Sequence, residues 1–255
     1  MKNKDETGFV SHLIELRQRL INSLICLGLL FVISYFFSEN IYGFLVEPYA
    51  QAVKNDDVER RLIFTALQET FLTYLKVSFF AAFFITSPFI LIQIWKFIAP
   101  GLYEDEKNAI MPYLIVTPIL FLLGGMLVYY LIMPLAIKFF ISFESTGLST
   151  SLPIQLEAKV NEYLSLVMKL IFAFGLSFQL PIVLSLLARI GFIDAKFLKE
   201  RRKYVVVIIF AAAALLTPPD PITQIGLALP LLLLYELSIL SVGIIDSKNI
   251  DRERD

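Results

Sequence analysis

Six long apolar segments constrain the fold of this chain more than any other feature of its sequence. A helix needs about 20 apolar residues to cross the ~30 Å hydrocarbon core of a bilayer. The segments are continuous apolar runs rather than the alternating pattern of barrel strands, and this favours helices. We therefore predict an all-α, polytopic integral membrane protein that forms a single domain over residues 1–255. The six predicted spans are residues 20–37, 71–94, 112–133, 163–188, 204–216 and 222–242.

The composition agrees with a membrane protein and excludes several functional classes. Hydrophobic residues make up 57% of the 255-residue chain, and the formal net charge is only −1, so nothing indicates a nucleic-acid partner. The single cysteine, Cys26, and the single histidine, His12, are too few for a disulfide framework or a metal site. Nucleophile, phosphate-loop and dinucleotide motifs are also absent from the sequence. We expect no catalytic residues, no metal and no cofactor.

The basic residues are distributed unequally between the two sides of the predicted spans. If the N-terminus is cytoplasmic, fifteen lysines and arginines lie on that side and five on the other, while Lys76 and Lys169 lie within spans. The run KFLKERRK at residues 196–203 contributes most to the difference. The positive-inside rule then predicts that both termini are cytoplasmic.

The predicted spans are not equivalent. The fifth has about 13 residues, which is only ~20 Å of helix, and TPPDP joins it tightly to the sixth. We therefore predict short fifth and sixth helices that form a hairpin. Either flanking residues are drawn into the fifth span or the bilayer is locally thin. Prolines within spans predict helix kinks. These prolines are Pro88, Pro118, Pro181 and Pro230.

Two clusters of charged residues are predicted on the cytoplasmic side. SHLIELRQRL, residues 11–20, has an amphipathic pattern, and its Glu15 and Arg19 stand at i,i+4, the spacing of an ordinary surface pair. QIWKFIAPGLYEDEK, residues 93–107, contains an acidic triple, Glu104, Asp105 and Glu106, just before its final lysine. That triple is explained either by the acidic first turn of a helix or, together with Glu15, by a docking site for a cationic segment.

Polar residues also occur near the predicted ends and middles of the later spans. LLTPPDPITQ, residues 215–224, contains Thr217, Asp220 and Gln224, and Gln179 lies near the middle of the fourth span. Asp220 alone is also explained as a turn residue that faces water. Polar side chains inside a membrane usually pair with another helix or line a wet cavity.

Taken in order, these motifs resemble the TatC family, the large polytopic subunit of the twin-arginine protein translocase. The resemblance implies a subunit of the bacterial cytoplasmic membrane, present in multiple copies in a receptor complex. It further implies recognition of signal peptides with paired arginines on folded cargo, and single-span partners of the TatA and TatB type. The matching segments are SHLIELRQRL, EPY at residues 47–49, QIWKFIAPGLYEDEK, SFQLPIV, RRKYVVV and LLTPPDPITQIGLALPLLLLYE.

The resemblance assigns roles to individual residues. Glu15 and Glu106 match the acidic residues implicated in recognising the arginine pair, and Phe97 matches a residue of the same surface. Gln179 replaces a glutamate found in many relatives, so a proton-relay role for this position is doubtful. The full signal-peptide set is Glu15, Arg17, Gln93, Phe97, Glu104 and Glu106; the partner-helix set is Gln179, Leu215, Thr217 and Gln224; other family positions are Pro48 and Asp220.

Two other functional classes are weaker interpretations of the same sequence. A small-solute or ion secondary transporter should show several charges along a route through the spans, and the central charges here are few. An intramembrane enzyme needs a nucleophile with its base or a metal-ligand set, and the sequence shows neither.

Overall fold

The computed structural model describes the backbone of residues 3–54, 60–98, 111–145, 152, 154–217 and 219–252, and their side chains except those of residues 3–12, 95, 98, 111 and 248–252. This part of the chain is helical, and two isolated β-bridges join its connecting segments. The helices are α1 (Asn3–Phe36), α2 (Ser38–Val53), α3 (Glu69–Ile98), α4 (Met111–Leu127), α5 (Met133–Ile141), α6 (Val160–Ser177), α7 (Leu180–Arg189), α8 (Ala195–Leu216) and α9 (Pro221–Arg252), with a π-helical turn, Val128–Ile132, between α4 and α5.

Five helical stretches in the described residues are long and apolar enough to cross a membrane. They coincide with the first, second, third, fourth and sixth predicted spans, and most extend beyond the predicted limits at one end or both. The stretches are Leu13–Phe36, Glu69–Ile94, Pro112–Ile141, Val160–Arg189 and Pro221–Ser247.

The predicted short hairpin requires a correction. The sixth helix is not short, because α9 has 32 residues and its apolar stretch has 27. Predicted span 204–216 is the apolar part of α8, a 22-residue helix that is not among the five stretches because its first turns carry the basic run. The predicted span began after the basic run, whereas the helix includes that run, because backbone hydrogen bonds also form next to charged side chains.

The four prolines affect their helices differently. Pro181 follows an interruption, since α6 ends at Ser177 and α7 begins at Leu180. Pro88, Pro118 and Pro230 lie inside continuous helices. Proline fits the first turn of a helix, where its missing N–H has no helical acceptor, and this explains why the break falls immediately before Pro181.

The chain forms two compact units. Unit one comprises Met1–Tyr42 and Tyr74–Ile119, and unit two comprises Gly43–Thr73 and Leu120–Asp255. In unit one, the rings of Phe31 on α1 and Phe79 on α3 meet edge to face with centroids 6.2 Å apart. Many large apolar side chains of α1 point outward, including Leu20 and Leu29.

In unit two, α9 packs against α7 and α8. Leu227 and Val242 of α9 are completely buried, and the Tyr235 hydroxyl donates to the carbonyl of Leu198 on α8 at 2.8 Å. A Cβ atom added at Gly124 would lie 2.7 Å from the backbone oxygen of Phe174. Glycine is therefore required there, because it lets the backbones of α4 and α6 approach closely.

Candidate functional site

The charged cluster of unit one lies on α1 and α3. The Arg19 Nε and Nη2 atoms donate to Oε1 of Glu15 at 3.0 Å and 2.5 Å. Its remaining terminal nitrogen, Nη1, donates to Oε1 of Gln93 on α3 at 2.9 Å. One guanidinium thus joins a carboxylate of its own helix to an amide of another helix.

The Glu15–Arg19 pair differs from an ordinary surface pair at the same spacing. The side chains are 35% and 23% exposed, so water screens their attraction less than that of a fully exposed pair. Planar guanidinium donors also match carboxylate oxygens better than a lysine ammonium does. The local chemistry at Glu15 therefore suits a guanidinium ligand.

The other predicted signal-peptide residues have different placements. Gln93 and Phe97 are half-buried, one turn apart near the end of α3, and Arg17 is exposed on α1. Gln93 therefore joins Glu15 in one hydrogen-bonded cluster through Arg19. Glu104 and Glu106 lie outside the described residues, so the acidic triple stays a sequence prediction.

Asp220 caps helix α9. It is only 4% exposed, and its carboxylate accepts hydrogen bonds from the Thr223 backbone N–H at 2.7 Å and from the Thr223 hydroxyl at 2.6 Å. A carboxylate in this position satisfies donors that the first turn of a helix leaves without partners, and it also complements the helix dipole. Asp220 is thus a residue of the turn that caps α9, but the expectation that it faces water was wrong, because the carboxylate is buried against Thr223.

The predicted partner-helix residues range from buried to exposed. Thr217 ends α8, is 4% exposed, and its hydroxyl donates to the Ala213 carbonyl at 2.9 Å. Gln179 is buried at the α6–α7 interruption, and Gln224 is half-buried on α9. Leu215, in contrast, is 80% exposed on α8. Of the four, Leu215 presents the largest accessible apolar surface to a partner helix.

Pro48 leaves a backbone carbonyl without its helical donor, and a tyrosine far away in the sequence supplies a replacement. Pro48 lies inside α2 and has no N–H. The carbonyl of Phe44, four residues earlier, therefore lacks its helical donor. The Tyr129 hydroxyl donates to that carbonyl at 2.8 Å, and the Phe44 and Tyr129 rings stack with centroids 4.4 Å apart. A second tyrosine hydroxyl, from Tyr163, reaches the next carbonyl, Leu45, at 3.1 Å.

An ion pair that was missed from the sequence joins the connection after α2 to the connection after α5. Arg60 donates from Nη1 and Nη2 to the two carboxylate oxygens of Glu144, both at 2.7 Å. The Leu156 N–H also donates to Glu144 at 2.7 Å. The Arg60 hydrogen bonds hold the pKa of Glu144 below its ordinary value, although burial acts in the opposite direction.

Backbone pairing holds the same connections together. The amide of Ile63 donates to the Ala158 carbonyl at 3.1 Å, and the amide of Val160 donates to the Ile63 carbonyl at 2.9 Å. Ser145 and Ile154 exchange two hydrogen bonds of 3.0 Å. These hydrogen bonds join the described residues of the connection after α2 to those of the connection after α5. Among the described residues, no group of three or more histidine, cysteine or acidic side chains is placed to hold a metal ion.

Comparison with known proteins agrees with the architecture. Residues 11–230 match the family described as Sec-independent protein translocase protein (TatC). Proteins of that name from Magnetococcus marinus and Rickettsia prowazekii are 47% and 45% identical to this chain, over 98% and 94% of its length and 89% and 94% of theirs. The protein of that name from Escherichia coli is 32% identical, over 99% of this chain and 95% of its own.

A solved structure shows the same fold. The crystal structure described as the twin arginine translocase receptor TatC aligns with a TM-score of 0.76 at 38% identity, covering 92% of this chain and 99% of that one. A second crystal structure of the receptor, in the detergent DDM, gives the same TM-score at 39% identity, covering 91% of this chain and 99% of that one. The family match covers most of the chain, and the relatives match nearly their full lengths. The chain belongs to the TatC family, a component of the Sec-independent protein translocase.

Proposed function

We propose that this chain is the receptor subunit of a twin-arginine translocase and binds paired-arginine signal peptides through Glu15 and Glu106. The observation that carries the proposal is the Glu15 carboxylate, which accepts two hydrogen bonds from a guanidinium at 3.0 Å and 2.5 Å. The name of a solved relative, a translocase receptor, supports the same reading.

The proposed recognition depends on side-chain shape as well as on charge. An arginine presents a planar fork of donors, and a partly desolvated carboxylate accepts that fork in a fixed geometry. A lysine offers a compact ammonium that is costly to dehydrate. We assign the acceptor for the second arginine to Glu106, and Glu104, Phe97 and Arg17 complete the proposed recognition set.

The proposed topology has six spans with both termini in the cytoplasm. Helix α8 supplies the span beyond the five apolar stretches, because its 22 residues give about 33 Å of helix. Its basic first turns would lie among the headgroups, and long lysine and arginine side chains can extend toward water. The apolar part of α8 is then the region where the bilayer is thin.

We further place TatA- and TatB-type partners beside α8 and α9. The exposed Leu215 supports this surface, and the half-buried Gln224 lies close to it along the chain; the buried Thr217 would support the surface from within the subunit. Gln179 is the fourth candidate contact. The subunit itself would carry out no chemistry in this role.

The experiment is site-specific photocrosslinking of a twin-arginine signal peptide to the full-length protein in membranes. Glu15→Gln and Glu106→Gln should each reduce the crosslinked fraction while abundance stays normal. Glu236→Gln is a matched control, because Glu236 pairs with an arginine, Arg202, at 2.6 Å within unit two. Undiminished crosslinking in both site variants would exclude the proposed site.

Reporter fusions test the topology separately. Fusions within residues 142–152 should be exported, and fusions within residues 196–203 should be retained in the cytoplasm. The opposite pattern would invert the proposed orientation and place Glu15 on the wrong side for recognition.

A further inference from the structure

The carboxylate proposed to receive a signal-peptide arginine already binds an arginine of its own chain. Arg19 occupies Oε1 of Glu15 with two donors and uses its third nitrogen on Gln93. We propose that Arg19 is an internal competitor that sets the affinity of the Glu15 site for the arginine pair. This inference rests on the proposed function.

Arg19 binds the Glu15 carboxylate with the same kind of donors that an arginine of a bound peptide would use. Its guanidinium presents the same donor fork that an incoming arginine would present, and it is held at the carboxylate by the i,i+4 spacing on α1. A group fixed on the same helix has a high effective concentration at its partner. An incoming guanidinium that takes Oε1 of Glu15 therefore displaces a chemically equivalent group that has little entropy to lose.

Gln93 determines where the displaced arginine can go. The Nη1 atom of Arg19 lies 2.9 Å from Oε1 of Gln93, so Arg19 can release Glu15 and keep its bond to α3. The backbone beneath Arg19 is also tied down, because the Ser23 hydroxyl donates to the Arg19 carbonyl at 2.9 Å. Exchange at Glu15 thus requires a side-chain rotation and no movement of α1.

The competition explains why a pair of arginines is needed. Exchanging one guanidinium for another at Glu15 gains little binding free energy, because one hydrogen-bonded ion pair is lost when the other is formed. The second arginine, at Glu106, has to supply the net gain. The cost of displacing Arg19 is the same for every peptide that uses Glu15, so it sets the threshold for binding and leaves the arginine–lysine preference unchanged.

A purely supporting role for Arg19 predicts the opposite result. If Arg19 only holds Glu15 in place, its removal disorders the carboxylate and weakens peptide binding. If Arg19 competes, its removal strengthens binding. The sign of one affinity change therefore separates the two roles.

The test measures the affinity of a synthetic twin-arginine signal peptide for the full-length protein in lipid nanodiscs. Arg19→Gln should tighten binding by about three- to ten-fold, since charge-assisted hydrogen bonds of the competitor are lost. Arg19→Lys should tighten it less, because it keeps the charge and loses the fork. A peptide with one arginine replaced by lysine should gain affinity by the same factor.

A charge control separates competition from general electrostatics. Lys96 is exposed on α3, one turn beyond Gln93, and Lys96→Gln removes one positive charge from the same unit. This variant should leave the affinity nearly unchanged. Equal tightening in Lys96→Gln and Arg19→Gln, or unchanged or weaker binding in both Arg19 variants, would overturn the inference.

The outcome also distinguishes this inference from the proposed function. If Glu15→Gln does not weaken binding, the receptor site itself is wrong. If Glu15→Gln weakens binding and the Arg19 variants do not tighten it, only the competitor role fails. Thermal unfolding of each variant shows whether it folds. If Arg19→Gln does not fold, Arg19→Lys provides the test.

Discussion

The Tyr129 hydroxyl donates to the backbone carbonyl of Phe44 at 2.8 Å, and this carbonyl is the one that Pro48 deprives of its helical donor. A tyrosine from the π-helical turn therefore completes the hydrogen bonding of a proline-containing helix in unit two. The buried position of Pro48 in the sequence motif EPY acquires a structural reason from this contact.

Tyr129→Phe should destabilise unit two by about 1 kcal/mol, because the partly buried Phe44 carbonyl loses its donor while ring stacking is kept. Pro48→Ala restores a backbone N–H for the same carbonyl, so Tyr129→Phe should cost less in that background. Thermal unfolding of the single and double variants in detergent gives the coupling. Additive effects within about 0.5 kcal/mol would show that the two residues do not share the carbonyl.

The Arg60–Glu144 pair should be the most costly ion pair to break among the described residues of unit two. Arg60 is only 5% exposed and Glu144 20%, so removing either leaves a charge that water reaches poorly. Arg60→Met should lower stability by roughly 3 kcal/mol. Lys159→Gln is the control, since its 3.6 Å pair with Glu162 is 42% and 71% exposed and should change stability by less than ~1 kcal/mol.

Stability should fall in acid partly because of Glu144. Its pKa is lowered in the folded protein, mainly by the Arg60 hydrogen bonds, from an ordinary value of 4.5. The stabilisation is therefore complete above pH 4.5 and is lost as the pH falls below 4.5 through the lowered pKa. Melting temperatures measured between pH 7 and pH 3 should fall less steeply for Glu144→Gln than for the native chain; identical slopes would exclude this contribution.

The apolar spans could be predicted from the sequence because their signal is local. About 20 consecutive apolar residues identify a membrane helix without knowledge of any other part of the chain. The length of α8 and α9 could not be predicted in the same way, because helices continue past the bilayer edge wherever charged residues permit backbone hydrogen bonding. Sequence 196–203 illustrates this, since its charges ended the predicted span and not the helix.

The candidate site was predicted only in part because its contacts join distant residues. Arg19 lies four positions after Glu15, so their pairing follows from helical spacing. The Arg19–Gln93 bond spans 74 residues, and the Arg60–Glu144 pair spans 84. A single sequence contains no physical signal that connects such positions; the family resemblance singled out Gln93 and gave no indication of its partner.

The central claim is that Glu15 recognises the guanidinium groups of a signal peptide, and peptide affinity in nanodiscs tests it most directly. The full-length native chain should bind an Arg-Arg peptide at least about ten-fold more tightly than its Lys-Lys counterpart, because lysine lacks the donor fork. In the double variant Glu15→Gln with Glu106→Gln, the two peptides should bind with nearly equal, weak affinity. An arginine preference that persists undiminished in the double variant would contradict the account.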